Sequence, residues 1–376
     1  MNHMANRSSP GGFLRQTAVM ATVVMALLVT GCRNAEAPAT VPPPLERQPA
    51  AIGVNAVAMI LPEVREPQYD HIKASGIPAV RVYLEWNLIE PSPGEFDWST
   101  ADSLVMGAVD RGLEVLGLLT YTPQWAVPPQ ARDLVHAAPA DAKTWGNFVA
   151  HVAQRYRGVI HNWEIWNEPN IDDSFAPAPD LALYSAMLRE SYSAIKAADP
   201  DSLVITGGTS PAVDIPTEMS PVTFLRGLYD HGAGDSFDAV AMHPYSSPDL
   251  LSAEGLEGTS NSNLAIREVT DLMEAKGQSG KQIWFTEFGA STAPSDAAAP
   301  ELSGQQVGVT LARQAEILTD GINYMRSLPN GGPIFLFDFR DIETGSRNVQ
   351  FNYGLLRSDF TAKPSLAAVQ ALLGGG

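Results

Sequence analysis

The chain is short of cysteine, of positive charge and of long apolar runs. Cys32 is its only cysteine, so no disulfide can form within the chain and the core alone must stabilise the fold. Charged residues make up 18% of it, and the 24 Lys and Arg are outnumbered by 42 Asp and Glu. The resulting net charge of −18 at pH 7 argues against a nucleic-acid partner, which needs basic patches. The seven histidines form no pair at metal-ligand spacing, and His-Glu-x-x-His is absent. A Gly-x-Ser-x-Gly elbow, a phosphate loop and a sequence repeat are also missing. No metal and no organic cofactor is expected. With 45% hydrophobic residues over 376 positions, one large domain can be filled.

The most apolar run spans residues 18–30, and Arg7 and Arg15 are the only charges before it. It is too short to span a bilayer, which takes about 20 residues, and suits a signal peptide. Leu28-Val29-Thr30-Gly31-Cys32 resembles the lipobox of bacterial lipoproteins, which implies cleavage before Cys32 and lipidation of its thiol. Residues 1–31 are therefore expected to be a signal peptide. Residues 32–50 follow as a Pro/Ala-rich tether. An exported protein, held to a membrane only through a lipid at Cys32 and otherwise monomeric, is the expectation.

From residue 51 short apolar runs alternate with longer amphipathic ones. Strands are expected at 52–60, 78–83, 113–120, 159–167, 203–206, 239–243, 283–287 and 334–339. Helices are expected at 68–75, 99–111, 141–156, 180–198, 222–229, 261–276, 305–327 and 365–373. Ser99 reads as a helix cap, and Gly112, Gly158 and Gly277 read as stops. Eight such units over residues 51–376 predict a single α/β domain, a (β/α)₈ TIM barrel. An open doubly wound sheet would carry a glycine-rich turn after its first strand, and Gly53-Val54-Asn55 is not one.

Two strands end alike. His161-Asn162-Trp163-Glu164-Ile165-Trp166-Asn167-Glu168 stops at Pro169, which cannot donate to a ladder. Ile283-Trp284-Phe285-Thr286-Glu287 stops at Phe288-Gly289. In a barrel both carboxylates open onto the C-terminal face, where active sites lie. Two carboxyls facing one glycosidic bond retain configuration at a separation of about 5–5.5 Å and invert it at about 6.5–9.5 Å. Sequence does not measure that distance.

Trp166-Asn167-Glu168-Pro169 and Thr286-Glu287-Phe288-Gly289 together resemble clan A glycoside hydrolases. The closer likeness is to the family 39 type, carried by Trp86-Asn87-Leu88-Ile89-Glu90-Pro91, Tyr121-Thr122-Pro123-Gln124-Trp125, His243-Pro244-Tyr245 and Tyr353-Gly354-Leu355-Leu356. The resemblance implies a retaining hydrolase of an oligo- or polysaccharide, with Glu168 as acid/base and Glu287 as nucleophile. It makes Arg81, Asn167, His243 and Tyr245 supporting residues. Arg81 would hold Glu287 ionised, Asn167 would bond the sugar 2-hydroxyl, and Tyr245 would donate to Glu287. Clan members commonly carry a Trp at the end of strand eight, and here Phe337 is the candidate sugar platform.

Trp86, Trp125 and Trp166 are candidates for stacking on sugar faces. By strand alternation Trp163 and Trp284 are expected to point toward the helices instead. Asp341, Glu343 and Arg347 are further candidates in the loop after strand eight. Two other functions use the same residues: a non-catalytic carbohydrate-binding surface lipoprotein, and a transglycosylase. The retained pair of glutamates weighs against the first.

Overall fold

The computed structural model describes residues 52–57, 62–255, 261–294 and 308–373. The signal peptide, the tether and Cys32 lie outside the described residues. Eight parallel strands close on themselves in chain order. They are β1 Ile52–Asn55, β2 Ala79–Glu85, β3 Glu114–Thr120, β4 Asn162–Asn167, β5 Leu203–Gly208, β6 Ala239–Met242, β7 Gln282–Phe288 and β8 Gly331–Leu336. Closure comes from β1 pairing with both β2 and β8, with Val54 opposite Val80 on one side and Leu336 on the other. This is the expected (β/α)₈ barrel.

Helices cover its outside: α1 Pro62–Ser75, α2 Trp86–Ile89, α3 Ser99–Val109, α4 Ala142–Arg155, α5 Leu181–Ala198, α6 Pro221–Asp230, α7 Ser262–Ala275, α8 Leu311–Ser327 and α9 Pro364–Leu373. Capping fixes several starts. Asp141, Asp180, Ser220, Asn261 and Thr310 each accept from a backbone N–H one turn on. Ser99 does not cap. Trp98 is the cap residue of α3, and Asp97 supplies the oxygen that accepts the Ser99 N–H at 2.9 Å. The first helix begins at Pro62 and contains Pro67, although it was expected only from 68. Buried Tyr69 and Ile72 hold it despite the donor that proline lacks. The strand expected to 60 ends at Asn55, and 58–60 lie outside the described residues, as do 305–307 of the expected seventh helix. The short α2 was not anticipated.

Strand alternation sorts the side chains into two layers. Val80, Val82 and Leu84 of β2 face Leu104, Val105 and other helix residues in the large core outside the barrel. Trp163 belongs to that core, as expected. Ala79, Leu116, Ile205, Ala239, Ala241, Trp284 and Phe335 fill the barrel floor. Trp284 therefore points inward and stacks on Phe335 with ring centres 6.5 Å apart, contrary to expectation. Alternation is broken before Glu287, where the β7–β8 register shifts between Phe285 and Phe288. That irregularity brings Thr286 and Glu287, adjacent in sequence, both into the barrel.

Candidate active site

Above the apolar floor lies a buried polar layer organised by Arg81. The guanidinium donates from Nε to Glu164 Oε2 at 2.6 Å and from Nη2 to Glu164 Oε1 at 3.1 Å. Its Nη2 also reaches Asn167 Oδ1 at 2.9 Å. Its Nη1 donates to Asn55 Oδ1 at 3.0 Å and to Glu287 Oε1 at 2.5 Å. A buried charge persists when its hydrogen-bonding capacity is filled, and the rigid guanidinium fork is filled here by residues from three other strands.

Glu287 is nearly buried. Tyr245 O–H donates to its Oε2 at 2.9 Å and Tyr83 O–H to its Oε1 at 3.2 Å. Burial alone would raise this carboxyl. Positive charge at His243 and Arg81, with hydrogen bonds from Arg81 and Tyr245, outweighs burial and holds Glu287 below the ordinary carboxylate range. Burial and the Glu287 charge push both tyrosines well above their usual values, so they remain O–H donors.

Glu168 is more accessible. Its Oε1 lies 3.1 Å from His243 Nδ1, and Ser174 O–H approaches its Oε2 at 3.5 Å. The same His243 Nδ1 is 3.8 Å from Glu287 Oε2. One atom thus faces both carboxylates. The two legs bound the separation of those oxygens at about 6.9 Å, near the lower edge of the inverting range. His243 Nε2 sits 3.0 Å from Thr286 Oγ1, whose own proton goes to Glu164 Oε1 at 2.8 Å.

Residues 55–320 match the model of the cellulase family, glycosyl hydrolase family 5. The chain belongs to this family. It is a clan A family, the level of kinship to which the paired strand-end motifs pointed. A beta-xylosidase from Caldicellulosiruptor saccharolyticus is 25% identical over 300 residues, covering 74% of this chain and 56% of that protein. The chain spans about half the length of the curated relatives it matches. Among solved structures, a family 39 glycoside hydrolase from Bacteroides cellulosilyticus aligns with a TM-score of 0.68 at 22% identity, over 86% of this chain and 64% of that one. A family 39 enzyme from Xanthomonas axonopodis pv. citri gives 0.63 at 18%, over 86% and 66%. These likenesses are of fold.

In this family 5 chain the barrel mouth brings together Glu168, Glu287, Arg81, Asn167, His243 and Tyr245. Phe337 stands beside them. Its ring meets Tyr245 and Tyr353 edge-on and lines a cavity of about 290 Å³ with Arg81, Tyr83, Glu85 and Tyr121. Two of the three tryptophans, Trp86 and Trp166, are placed otherwise than expected. Trp86 is fully buried against Trp145 and Phe148 and spends its N–H on Glu90 Oε2 at 2.7 Å, so no sugar can stack on it. Trp166 is equally buried, between Trp145 and Phe175, and donates to Ser174 O at 2.7 Å. Its φ of +71° breaks the alternation of β4 and turns the indole out of the barrel, while Asn167 turns in. Trp125 is half-buried, edge-on to Trp86, with its N–H on Glu90 O at 2.9 Å.

Asp341 is also not free for substrate. It pairs with buried Lys363 at 2.7 Å and accepts from Gly354 N at 2.8 Å. Glu343 and Arg347 are exposed on the same loop. Sequence reasoning missed Glu164, Asn55, Tyr83 and Thr286. The signal was available for Glu164. A carboxylate on the inner face of a barrel strand needs an inner cation, and Arg81 is the one on β2.

Proposed function

We propose that this protein is a retaining glycoside hydrolase that cleaves O-glycosidic bonds of an oligo- or polysaccharide. The observation that carries the reading is His243 Nδ1 standing 3.1 Å from Glu168 and 3.8 Å from Glu287. The resulting upper bound of about 6.9 Å admits the retaining spacing of about 5–5.5 Å and excludes most of the inverting range of about 6.5–9.5 Å. Glu287, ionised by Arg81, attacks the anomeric carbon. As the bond to the leaving oxygen breaks, Glu168 gives that oxygen its proton. Water then attacks the same carbon, Glu168 takes its proton, and the ester to Glu287 opens. Asn167, with Oδ1 held by Arg81, keeps its amide N–H groups for the sugar 2-hydroxyl, and Phe337 packs under the ring. The similar beta-xylosidase and endo-1,4-beta-xylanase favour a β-linked substrate.

Azide separates the two roles. With an activated aryl glycoside, Glu168→Ala plus azide should yield the glycosyl azide of retained configuration. Glu287→Ala plus azide should yield the inverted one. An inverted hydrolysis product from the unmutated enzyme, read by NMR during turnover, would overturn the mechanism. Assayed at high acceptor concentration, the product ratio distinguishes hydrolysis from transglycosylation. For location, we propose a lipid anchor at Cys32, on the strength of the lipobox. Expressed with its leader, the chain should partition into membranes, and Cys32→Ser should release it.

A further inference from the structure

Glu85 is the last residue of β2 and lies opposite Thr120 of β3. Arg81, Tyr83 and Glu85 alternate onto one face of the strand, so Glu85 stands about 6.6 Å further out than Tyr83, which touches Glu287. It lines the cavity holding Arg81, Tyr83, Tyr121 and Phe337. It also lines a neighbouring cavity of about 520 Å³ with Asn87, Tyr121, Arg132 and His136. The two hollows thus share Glu85 and Tyr121. The other glutamates of the mouth all have partners: Glu164 has Arg81, Thr286 and Gly208, Glu287 has Arg81 and Tyr245, Glu168 has His243, and Glu90 has Trp86. Among the described residues Glu85 has none, although it is half-buried. A carboxylate withdrawn from water without a partner is costly unless a ligand supplies one.

We propose that Glu85 belongs to a second glycone subsite, where it accepts hydrogen bonds from the hydroxyl or amino donors of a non-anionic sugar. The glycone side follows from which catalytic residue the cavity adjoins. It is lined by Arg81 and Tyr83, which hold Glu287, and not by Ser174 or His243, which hold Glu168 on the leaving-group side. A carboxylate only accepts, so the sugar must donate. An acidic sugar would bring like charge beside Glu85, Glu168 and Glu287. Burial raises the Glu85 carboxyl, and no cation offsets it. Tyr121, which feels the charges of Glu85, Glu287 and Glu168, stands between the two subsites.

The proposal rests on the hydrolase reading above, and the test keeps the two apart. The probes are 4-nitrophenyl β-glycosides of xylose, glucose, mannose, galactose and glucosamine, with the matching β-1,4-linked disaccharide glycosides. For Glu85→Gln, KM on the best disaccharide probe should rise at least tenfold while kcat falls less than threefold. The monosaccharide probe should lose less than the disaccharide. Equal losses on both would overturn the subsite. If the unmutated enzyme cleaves no probe, the hydrolase reading fails and calorimetry decides on Glu85. Oligosaccharides of the neutral and amino series should then bind at least tenfold more weakly to Glu85→Gln. Unchanged affinity, no binding by either series, or equal binding of oligogalacturonate would overturn the proposal. Tighter binding by the amino series names an ammonium as the donor, and by the neutral series hydroxyls; both bear the proposal out.

Discussion

The chemistry of the site narrows to one ring nitrogen. Thr286 O–H donates to Glu164, so the Thr286 oxygen accepts from His243 Nε2–H. That leaves Nδ1 as the ring atom that faces Glu168 and Glu287. Glu164 therefore sets both the tautomer of His243 and the position of Arg81 without facing the sugar. Glu164→Gln would turn an N–H toward the guanidinium or the threonine proton. Breaking one side of a buried ion pair costs about 3–5 kcal/mol, to be read in chemical denaturation. Misplacing Arg81 and His243 should also lower kcat about a hundredfold with KM changed far less. Stability loss with unchanged kcat would make Glu164 purely structural. The sign of the Glu287 shift gives a pH prediction. A depressed carboxyl stays ionised as pH falls, so the nucleophile remains competent below the ordinary glutamate value of about 4.3. The acidic limb of kcat/KM should lie below that value. The same shift contributes stability above the ordinary range, lost as pH falls through the depressed value. Arg81→Met removes one of the two charges responsible, and should move the limb upward in pH-rate profiles of whatever activity survives.

Among the elements, β4, β5 and β7 depart from regularity where they meet the site. Positive φ at Trp166 (+71°) and Glu168 (+46°) lets two successive residues, Asn167 and Glu168, reach the mouth. The shifted register of β7 does the same for Thr286 and Glu287. This explains what could be read from sequence. The order of eight strand–helix units was legible, because apolar periodicity survives averaging along each element. The two acids were legible because each is the last carboxylate before a breaker. The directions of Trp166 and Trp284 were not, since a one-residue irregularity reverses parity and leaves no mark in composition. Trp86 was misjudged for a different reason: its loop folds inward on Glu90, a contact distant from any strand rule. On β5 the accommodation is made by glycine. A Cβ on Gly208 would come 2.1 Å from His243 Nε2 and 2.5 Å from Thr286 Oγ1. Gly208→Ala must push the imidazole away from Thr286 and off its line to both carboxylates. We expect kcat to fall about a hundredfold while far-UV circular dichroism stays that of the barrel. Normal turnover in this variant would show that the position of His243 is not needed.

The whole molecule adds a field to these local arrangements. A net charge of −18 surrounds a mouth that contains Glu85, Glu168 and Glu287, with the Arg81 charge already engaged by Glu164 and Glu287. An anionic polysaccharide approaching this face meets like charge over its whole length, whereas a neutral one meets no force of that kind. The range of the repulsion is set by salt: about 30 Å at 0.01 M ionic strength, and about 10 Å at 0.1 M. At low salt the field spans the whole barrel mouth, and near 0.5 M it is confined to contact. Binding of oligogalacturonate to the Glu287→Gln variant should therefore strengthen at least fivefold between 0.01 and 0.5 M NaCl, as measured by calorimetry. Affinity for a neutral oligosaccharide of equal length should move less than twofold, because its contacts are hydrogen bonds and ring packing at short range. Tight binding of the acidic ligand at low salt, weakening as salt is added, would mean that a local cationic surface overrides the global charge. Such a surface would have to be built from basic side chains near the mouth, of which Arg132 beside the Glu85 hollow is one to substitute.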